Sequence, residues 1–270
     1  MKTEKTGDNS PLGIFDSGIG GLTVAHAISK LLPSESFIYF GDTAHLPYGE
    51  KSPEAINRYA TKIADFLVQK KCKMIVIACN TASSLAFETV KKHAPGIKVI
   101  NVIDPVAELV ANLFHDCRIG VIGTKATIKS DVYKKKIHHL NPTIEVTSQA
   151  TPLLAPMIEE GFFNNNISRT IINSYLSKGK LKNIDALILA CTHYPLIRAE
   201  IEEYYRNKTT VIDSAEIVAM SVKSSLLGLG LMSDRKIGRH HFYVSDYTSA
   251  FEKSTRYFFK GKLKLELKEL

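Results

Sequence analysis

The segment Ile75-Val76-Ile77-Ala78-Cys79-Asn80-Thr81-Ala82-Ser83 gives the first indication of the fold. A similar segment, Leu187-Ile188-Leu189-Ala190-Cys191-Thr192-His193-Tyr194-Pro195, occurs later in the chain. Each stretch begins with unbroken apolar residues, which predict a strand buried on both faces, as in a parallel sheet. The small polar residues that follow predict a turn into a helix. Both cysteines therefore stand at the carboxyl ends of strands, where open α/β sheets bind their ligands.

A second pair of similar segments indicates an internal repeat. Val102-Ile103-Asp104 recurs as Val211-Ile212-Asp213, at nearly the same offset as the two cysteine stretches. The alternation of predicted strands and helices also restarts at Arg118. Two echoes within the same order of elements are less common by chance than one, so the chain is interpreted as a duplicated α/β unit.

The repeat predicts an α/β fold of two similar parallel-sheet domains related by a pseudo-twofold axis. The first domain comprises residues 1–104 together with 213–270 and carries Cys79. The second domain comprises residues 105–212 and carries Cys191. Such an arrangement brings both strand ends, and both thiols, to opposite walls of one cleft, where we expect the active site.

Polar loops follow several predicted strands. A strand at residues 12–15 precedes a glycine-rich loop, and a strand at residues 37–40 precedes the turn-rich segment 41–49. Loops at strand ends carry function more often than packing. In the second repeat, a strand at residues 118–122 and the turn Gly123-Thr124 precede a helix that we predict over residues 126–138.

Composition and charge exclude several classes of protein. The 270 residues include 44% hydrophobic residues and carry a formal net charge of +8. The lysines are interleaved with Asp and Glu and form no basic run with interleaved aromatic residues, which argues against a nucleic-acid binder. The amino terminus lacks the apolar core of a signal peptide, and no segment reaches the roughly 18 apolar residues of a membrane span. We therefore expect a cytoplasmic protein that binds neither nucleic acid nor membrane.

The four cysteines do not predict a disulfide framework or a zinc site. They include no Cys-x-x-Cys pair, and a reducing compartment disfavours disulfides. No two Cys or His residues near either cysteine stretch have the spacing of zinc ligands. Cys72 and Cys117 flank apolar strands and are interpreted as small core residues. Cys79 and Cys191 are therefore the candidates for chemistry.

The segment Asp16-Ser17-Gly18-Ile19-Gly20-Gly21 lies between a predicted strand and a predicted helix. A dinucleotide-binding loop has Gly-x-Gly-x-x-Gly spacing, but Thr23 occupies the third glycine position here. Backbone amides at the helix start can instead hold a small anion such as a carboxylate. Asp16 is then free to accept a proton or to bind an ammonium group. A tight turn with a capping aspartate is the structural alternative.

The residues after each cysteine can assist a thiol. Asn80, Thr81 and Thr192 supply amides and hydroxyls at two predicted helix starts, although capping alone explains such residues. We expect these helix starts to favour the thiolate. His193, two residues after Cys191, can share the proton of the thiol because the ordinary pKa of imidazole lies close to neutral pH.

Two thiols on opposite faces suit the inversion of a carbon centre. A nucleophilic cysteine in hydrolysis or acyl transfer leaves the second thiol unexplained. Cysteines that resolve a disulfide are usually close in sequence and exposed. Inversion requires one group to remove a proton from one side while another supplies a proton to the opposite side. Because the unperturbed pKa of a thiol is about 8.5, one thiolate and one thiol can coexist near neutral pH.

Four motifs follow one another along the chain. They are Phe15-Asp16-Ser17-Gly18-Ile19-Gly20-Gly21-Leu22, Gly41-Asp42-Thr43-Ala44 with Pro47-Tyr48-Gly49, Ala78-Cys79-Asn80-Thr81-Ala82, and Cys191-Thr192-His193-Tyr194-Pro195-Leu196. In type and order they resemble the motifs of the glutamate racemases within the cofactor-independent aspartate/glutamate racemase superfamily. The resemblance extends over about residues 13–213.

This resemblance implies that L-glutamate and D-glutamate are interconverted by two bases, with Cys79 and Cys191 alternating as proton acceptor and donor. It implies that Asp16 assists Cys79, and that His193 assists Cys191 together with Glu159 rather than Glu160. It also implies a substrate-binding set: Asp16, Ser17, Tyr48, Gly49, Asn80, Thr81, Thr124, Thr192 and His193.

The resemblance further implies a homodimer, a role in supplying D-glutamate for bacterial peptidoglycan, and no pyridoxal phosphate, metal or nucleotide. Desolvation and aimed amide donors must then stabilise the carbanionic transition state. An aspartate racemase is the nearest alternative, and His193 favours glutamate. A non-enzymatic sensor that joins Cys79 to Cys191 in a reversible disulfide is the alternative of another class. Burial at strand ends and separation in sequence disfavour it.

Overall fold

A computed structural model describes residues 7–259 and 263–270. Residues 1–6, at the start of the predicted first domain, and residues 260–262, in its carboxyl-terminal part, lie outside the described residues. The strands within the described ranges are β1 (Leu12–Asp16), β2 (Phe37–Gly41), β3 (Met74–Ile77), β4 (Lys98–Asn101), β5 (Arg118–Gly123), β6 (Glu145–Ala150), β7 (Ala186–Ala190), β8 (Thr210–Ile212), β9 (His240–Val244) and β10 (Leu265–Leu267).

Helices connect most of these strands. The α-helices are α1 (Leu22–Leu31), α2 (Pro53–Gln69), α3 (Asn80–Leu85), α4 (Phe87–His93), α5 (Asp104–Leu113), α6 (Lys125–Ser130), α7 (Val132–Leu140), α8 (Leu154–Glu159), α9 (Asn166–Leu176), α10 (Arg198–Tyr204), α11 (Ala215–Leu229) and α12 (Ser249–Phe258). Short 3-10 helices cover Thr43–His45, Tyr48–Glu50, Gly179–Leu181 and Tyr194–Ile197. None of the helices in the described part of the chain combines the length and the apolar character that crossing a bilayer requires.

The strands form two sheets in which every pairing is parallel. The order is β10-β9-β2-β1-β3-β4 in the larger sheet and β6-β5-β7-β8 in the smaller sheet. Strands β2-β1-β3-β4 and β6-β5-β7-β8 have the same order relative to their positions in the chain. The prediction of two similar parallel-sheet α/β units is therefore confirmed, and β3 and β7, which precede the two cysteines, occupy equivalent places.

The carboxyl-terminal part of the chain returns to the larger sheet. Strand β9 pairs with β2 in a register that places His240 opposite Phe37, and β10 pairs with β9. These two strands extend the edge of the larger sheet beyond the repeated unit.

The register of the parallel strands aligns their carboxyl ends. Asp16 pairs with Gly41 across β1 and β2, and Phe15 pairs with Ile77 across β1 and β3. In the smaller sheet Gly123 pairs with Ala190. The polar residues that follow these strands in the chain therefore lie along the edges of the sheets, in the position that parallel sheets use for ligands.

The apolar strand sequences form the core. Strands β1, β2, β3 and β7 are buried at every position, as unbroken apolar runs predict for strands covered on both faces. One apolar cluster contains residues of both sheets, including Val76 and Ile188. A second cluster, which includes Phe40 and Ile77, covers the other face of the larger sheet. The two sheets thus share continuous apolar packing, which holds their strand ends in a fixed relation.

Two helix predictions were wrong in detail. The helix predicted over residues 126–138 is divided into α6 and α7, because Asp131 adopts a left-handed conformation with φ 58°. No α-helix begins directly after Cys191. The chain enters the 3-10 helix Tyr194–Ile197 instead, and α10 begins only at Arg198.

Candidate active site

A cavity of about 240 Å³ lies where the carboxyl ends of the two sheets meet, and both cysteines of the repeat line it. All the predicted site residues except Asp16 contribute to its walls. They are Ser17, Tyr48, Gly49, Cys79, Asn80 and Thr81 from the larger sheet and its loops, and Thr124, Glu159, Cys191, Thr192 and His193 from the smaller one. Asp16 has no exposed surface and lies next to this wall, directly before Ser17.

Cys79 is the N-cap residue of α3 and is almost fully buried. Its Sγ accepts a hydrogen bond from the amide of Ala82 at 3.4 Å and lies 3.6 Å from Ser17 Oγ. Burial raises the pKa of the Cys79 thiol to about 12, and the charge of Asp16 adds to this effect, whereas the hydrogen bonds lower the pKa by less. The expectation that the helix start favours a thiolate was therefore wrong for Cys79, because desolvation outweighs the amides of a short helix.

The Asp16 carboxyl group holds the glycine-rich loop through hydrogen bonds to backbone amides. Its Oδ2 accepts hydrogen bonds from the amides of Gly18 and Gly21, both at 3.0 Å, while its buried Oδ1 has no hydrogen-bond partner in the described part of the chain. These two amides therefore bind Asp16 and not an external anion, as the structural alternative proposed. Burial raises the pKa of the Asp16 carboxyl, against the opposing charge of His193 and the two amides.

Cys191, His193 and Glu159 form a chain of contacts on the opposite wall. Cys191 Sγ lies 3.6 Å from His193 Nδ1, and His193 Nε2 lies 2.8 Å from Glu159 Oε1. Burial lowers the pKa of His193, but the hydrogen bonds and negative charges of Cys191 and Glu159 outweigh it and hold the pKa well above its ordinary value. The imidazolium form is therefore favoured beside the Cys191 sulfur.

The glycine-rich loop packs directly against the second cysteine turn. A Cβ atom at Gly20 would lie 2.4 Å from His193 Cε1 and 2.6 Å from Thr192 Oγ1, so only glycine fits at this position. The hydroxyl of Thr23 lies 3.2 Å from the carbonyl oxygen of Thr192. The glycine thus permits close approach between the two sheet ends, which explains its presence without a bound nucleotide.

Hydroxyl groups also connect the two walls. Thr81 Oγ1 lies 2.9 Å from Thr124 Oγ1 and 3.2 Å from Thr127 Oγ1. Thr124 is in addition the N-cap residue of α6, where its hydroxyl accepts a hydrogen bond from the amide of Thr127 at 3.2 Å. The cluster leaves polar oxygen atoms of both sheets at the surface of the same cavity.

The segment 41–49 is fixed by Asp42, to which the sequence analysis gave no role. Asp42 Oδ2 accepts a hydrogen bond from the Tyr48 hydroxyl at 2.5 Å, and Oδ1 lies 2.8 Å from both His45 Nδ1 and Ser245 Oγ. Burial raises the pKa of Tyr48, and the charge of Asp42 raises it further, so the phenol stays protonated. Asp42 stands in the motif Gly41-Asp42-Thr43-Ala44, and this position in the sequence could have indicated a role for it.

Five further residues, all apolar, complete the cavity walls. They are Leu46, Pro47, Ala155, Pro156 and Ala190. Pro47 and Ala190 stand in segments that the sequence had already singled out, whereas Leu46, Ala155 and Pro156 adjoin such segments and carried no signal of their own. Within the described residues, no group of three or more His, Cys, Asp or Glu side chains is arranged to hold a metal ion.

The chain is similar to known proteins over most of its length. Residues 22–222 match a family model described as Asp/Glu/Hydantoin racemase. A glutamate racemase of Geobacter metallireducens is 44% identical over 253 residues, covering 93% of each chain. One of Chlorobaculum parvum is 44% identical over 264 residues, covering 97% of each. A crystal structure of glutamate racemase from Francisella tularensis in complex with D-glutamate has a TM-score of 0.92 and 41% identity, covering 97% of this chain and 98% of that one.

Proposed function

This chain belongs to the Asp/Glu/hydantoin racemase family, and on that basis we propose that it interconverts L-glutamate and D-glutamate. One observation supports this most directly. Cys79 and Cys191 follow equivalent strands of two similar sheets, and both line the same cavity. A substrate in that cavity meets a thiol from each sheet, as inversion of a carbon centre requires.

The proposed reaction uses the two sulfur atoms in turn. In one direction the thiolate of Cys79 removes the α-proton, so that a carbon–hydrogen bond breaks and a sulfur–hydrogen bond forms. The Cys191 thiol then gives its proton to the opposite face of the carbanionic carbon. In the other direction the roles are exchanged. General acid–base catalysis of this kind typically contributes 10²–10⁴-fold to a rate.

Each thiol is assisted by different groups. The pKa of Cys79 is raised by burial, so its activation requires a proton acceptor, and Asp16 is a buried carboxylate with one oxygen free of hydrogen bonds in the described residues. On the other wall, His193 donates toward Cys191, and Glu159 fixes the orientation of the imidazole through Nε2. The two cysteines therefore change protonation state through separate partners.

The polar wall residues are proposed to bind the ionic groups of the amino acid. Glutamate carries two carboxylates and one ammonium group, which require donors and acceptors respectively. Hydroxyl, amide and backbone groups of the substrate-binding set can supply them: Ser17, Tyr48, Gly49, Asn80, Thr81, Thr124, Thr192 and His193. When the substrate displaces water from the cavity, the electrostatic interactions with these groups become stronger.

The biological setting is proposed from the same premise. D-glutamate formed by this reaction supplies bacterial peptidoglycan synthesis in the cytoplasm.

We further propose that the chain has two structural domains and forms a homodimer. The domains are residues 1–104 with 213–270, and residues 105–212. Exposed apolar residues of α11, such as Met220 and Leu227, offer apolar surface to a second copy. Sedimentation velocity that shows only the 29.9 kDa monomer would reject the dimer.

Racemisation without added cofactor tests the main proposal. Purified protein in deuterium oxide is expected to convert either enantiomer of glutamate and to place deuterium at the α carbon of the product. Mass spectrometry and chiral chromatography measure both results over a panel of amino acids. Activity on aspartate but not on glutamate would reject the substrate. Absence of turnover together with a Cys79–Cys191 disulfide would favour the thiol sensor.

A further inference from the structure

Asn80 presents an unusual distribution of hydrogen bonds. It is the first residue of α3, directly follows Cys79, lines the cavity and is 2% exposed. Its Oδ1 accepts a hydrogen bond from the Tyr133 hydroxyl at 2.7 Å. Its Nδ2 is buried and has no hydrogen-bond partner in the described part of the chain. Buried polar groups are nearly always paired, so this amide nitrogen requires an acceptor that the described residues do not supply.

The hydrogen bond from Tyr133 identifies which end of the Asn80 amide is Oδ1 and which is Nδ2. A separation of 2.7 Å is typical of O–H···O bonds, whereas N–H···O bonds cluster near 2.9–3.0 Å. Tyr133 is also a dependable donor. Burial raises the pKa of its hydroxyl, and the charges of Asp104 and Cys191 raise it further, so the proton is retained. With Oδ1 held by Tyr133, Nδ2 is left to face away from that side chain.

We propose that Tyr133 is a positioning residue, which orients the Asn80 amide so that Nδ2 donates a hydrogen bond to a carboxylate of the substrate. This inference rests on the proposed function, because glutamate supplies the carboxylate. Carboxylates accept and never donate when ionised, so a flipped amide would place its carbonyl oxygen against a negative group. Tyr133 lies on α7, which comes after β5 of the smaller sheet, and Asn80 lies on α3, which comes after β3 of the larger sheet. The contact therefore joins helices of the two repeats.

Tyr133→Phe removes the hydroxyl and keeps the ring. In this variant the productive orientation leaves the buried Oδ1 without a donor, so we expect KM for glutamate to rise about tenfold while kcat changes by less than about twofold. Tyr205→Phe is the matched control. Its hydroxyl donates to the Leu181 carbonyl at 3.1 Å, and it does not line the cavity, so its KM should equal that of the wild type.

A double-mutant cycle shows whether Tyr133 acts through Asn80. Asn80→Ala is expected to raise KM by itself, and adding Tyr133→Phe to it should produce no further increase. If Tyr133→Phe leaves KM unchanged, or raises it by the same factor in the Asn80→Ala background, the positioning role is rejected. Circular dichroism and thermal melting verify that the variants are folded.

Asn80→Asp provides a second test that leaves Tyr133 in place. One carboxylate oxygen can still accept from Tyr133, and the other replaces Nδ2 opposite the substrate carboxylate. KM should therefore rise more than in Asn80→Ala, and an equal or smaller rise contradicts the proposed orientation. Calorimetric titration of the wild type with D-glutamate separates the two proposals. No binding and no racemisation reject the glutamate racemase function, whereas normal wild-type values with an unaffected Tyr133→Phe reject only the role of Tyr133.

Discussion

Cys79 and Cys191 differ in the groups that contact their sulfur atoms. Cys79 contacts a backbone amide and the Ser17 hydroxyl beside the buried carboxylate Asp16. Cys191 contacts an imidazole that is itself bound to Glu159. The first environment favours the neutral thiol, and the second places a positive charge beside the sulfur. The two halves of the repeat therefore provide unequal surroundings for the same residue type.

Replacement of either cysteine by alanine tests the two-base reaction. Cys79→Ala and Cys191→Ala should each lower kcat for racemisation in both directions by at least about 10³-fold, because each direction requires an acceptor and a donor. Cys117→Ala is the control, since Cys117 is half-buried and does not line the cavity. Polarimetry from each enantiomer measures the rates. Full turnover by either variant contradicts the mechanism.

Asp16 should show a stability effect that depends on pH. Burial raises its pKa above the ordinary value of 3.8, so the folded protein holds this proton more tightly than the unfolded chain. Its contribution to stability is therefore present below pH 3.8 and is lost as pH rises through the folded-state pKa. Asp16→Asn does not titrate, and its Tm relative to the wild type should increase from pH 4 toward neutral pH, while kcat falls about 100-fold. A Tm difference independent of pH contradicts this account.

At the scale of elements, the end of β9 supports the segment 41–49. Ser245 Oγ donates to Asp42 Oδ1 at 2.8 Å and accepts from the amide of Ala44 at 2.9 Å. Thr43 Oγ1 donates to the carbonyl oxygen of Asp246 at 2.6 Å. Because Asp42 in turn binds the Tyr48 hydroxyl, the residues after β9 fix a wall of the cavity, although Ser245 and Asp246 do not themselves line it.

Ser245→Ala tests this support. Loss of the hydroxyl leaves Asp42 with one donor fewer and loosens the segment that carries Tyr48 and Gly49, so KM for glutamate should rise about three- to tenfold. Ser174→Ala serves as the control, because Ser174 is exposed and its hydroxyl donates to the Ile171 carbonyl within the same helix. Steady-state kinetics with both variants provide the measurement. An unchanged KM in Ser245→Ala would show that the segment keeps its position without this hydroxyl.

A buried ion pair between Lys73 and Glu35 joins distant parts of the chain. Lys73 Nζ lies 2.7 Å from Glu35 Oε2, and both side chains are at most 2% exposed. Lys73 also donates to the carbonyl oxygen of Leu231 at 2.7 Å, and Glu35 Oε1 accepts from the amide of Ser233 at 2.7 Å. The pair thus fastens the chain after α11 to the larger sheet, ahead of β9.

Removing one member of this pair should destabilise the fold strongly. Lys73→Met leaves the Glu35 carboxylate buried without its cation, so the free energy of unfolding should fall by about 3–5 kcal/mol. Lys91→Met breaks an exposed pair with Glu88 of 3.1 Å and should change it by less than about 1 kcal/mol. Urea denaturation followed by circular dichroism compares the two variants. Equal effects would contradict the importance of burial.

Local sequence predicted more of the fold than of the detail between elements. The apolar runs predicted the buried strands, and the echo of Val102-Ile103-Asp104 predicted the repeated topology. The break at Asp131 was missed because a left-handed residue within a helical pattern has no apolar signature. Strand β10 was also missed, since Leu265, Glu266 and Leu267 belong to a basic segment that resembles a solvated surface.

From residue types and apolar runs alone, the buried strands of both repeats, the place of each cysteine at a strand end and the family motifs could be predicted. These follow from apolar periodicity and from residue types that are adjacent in the chain. The protonation of Cys79, the pairing of His193 with Glu159 and the contact between Tyr133 and Asn80 became visible only in the folded chain. The reason is that burial and hydrogen bonding depend on which side chains come into contact across the two sheets. Contacts between residues distant in the chain produce no pattern in the local sequence.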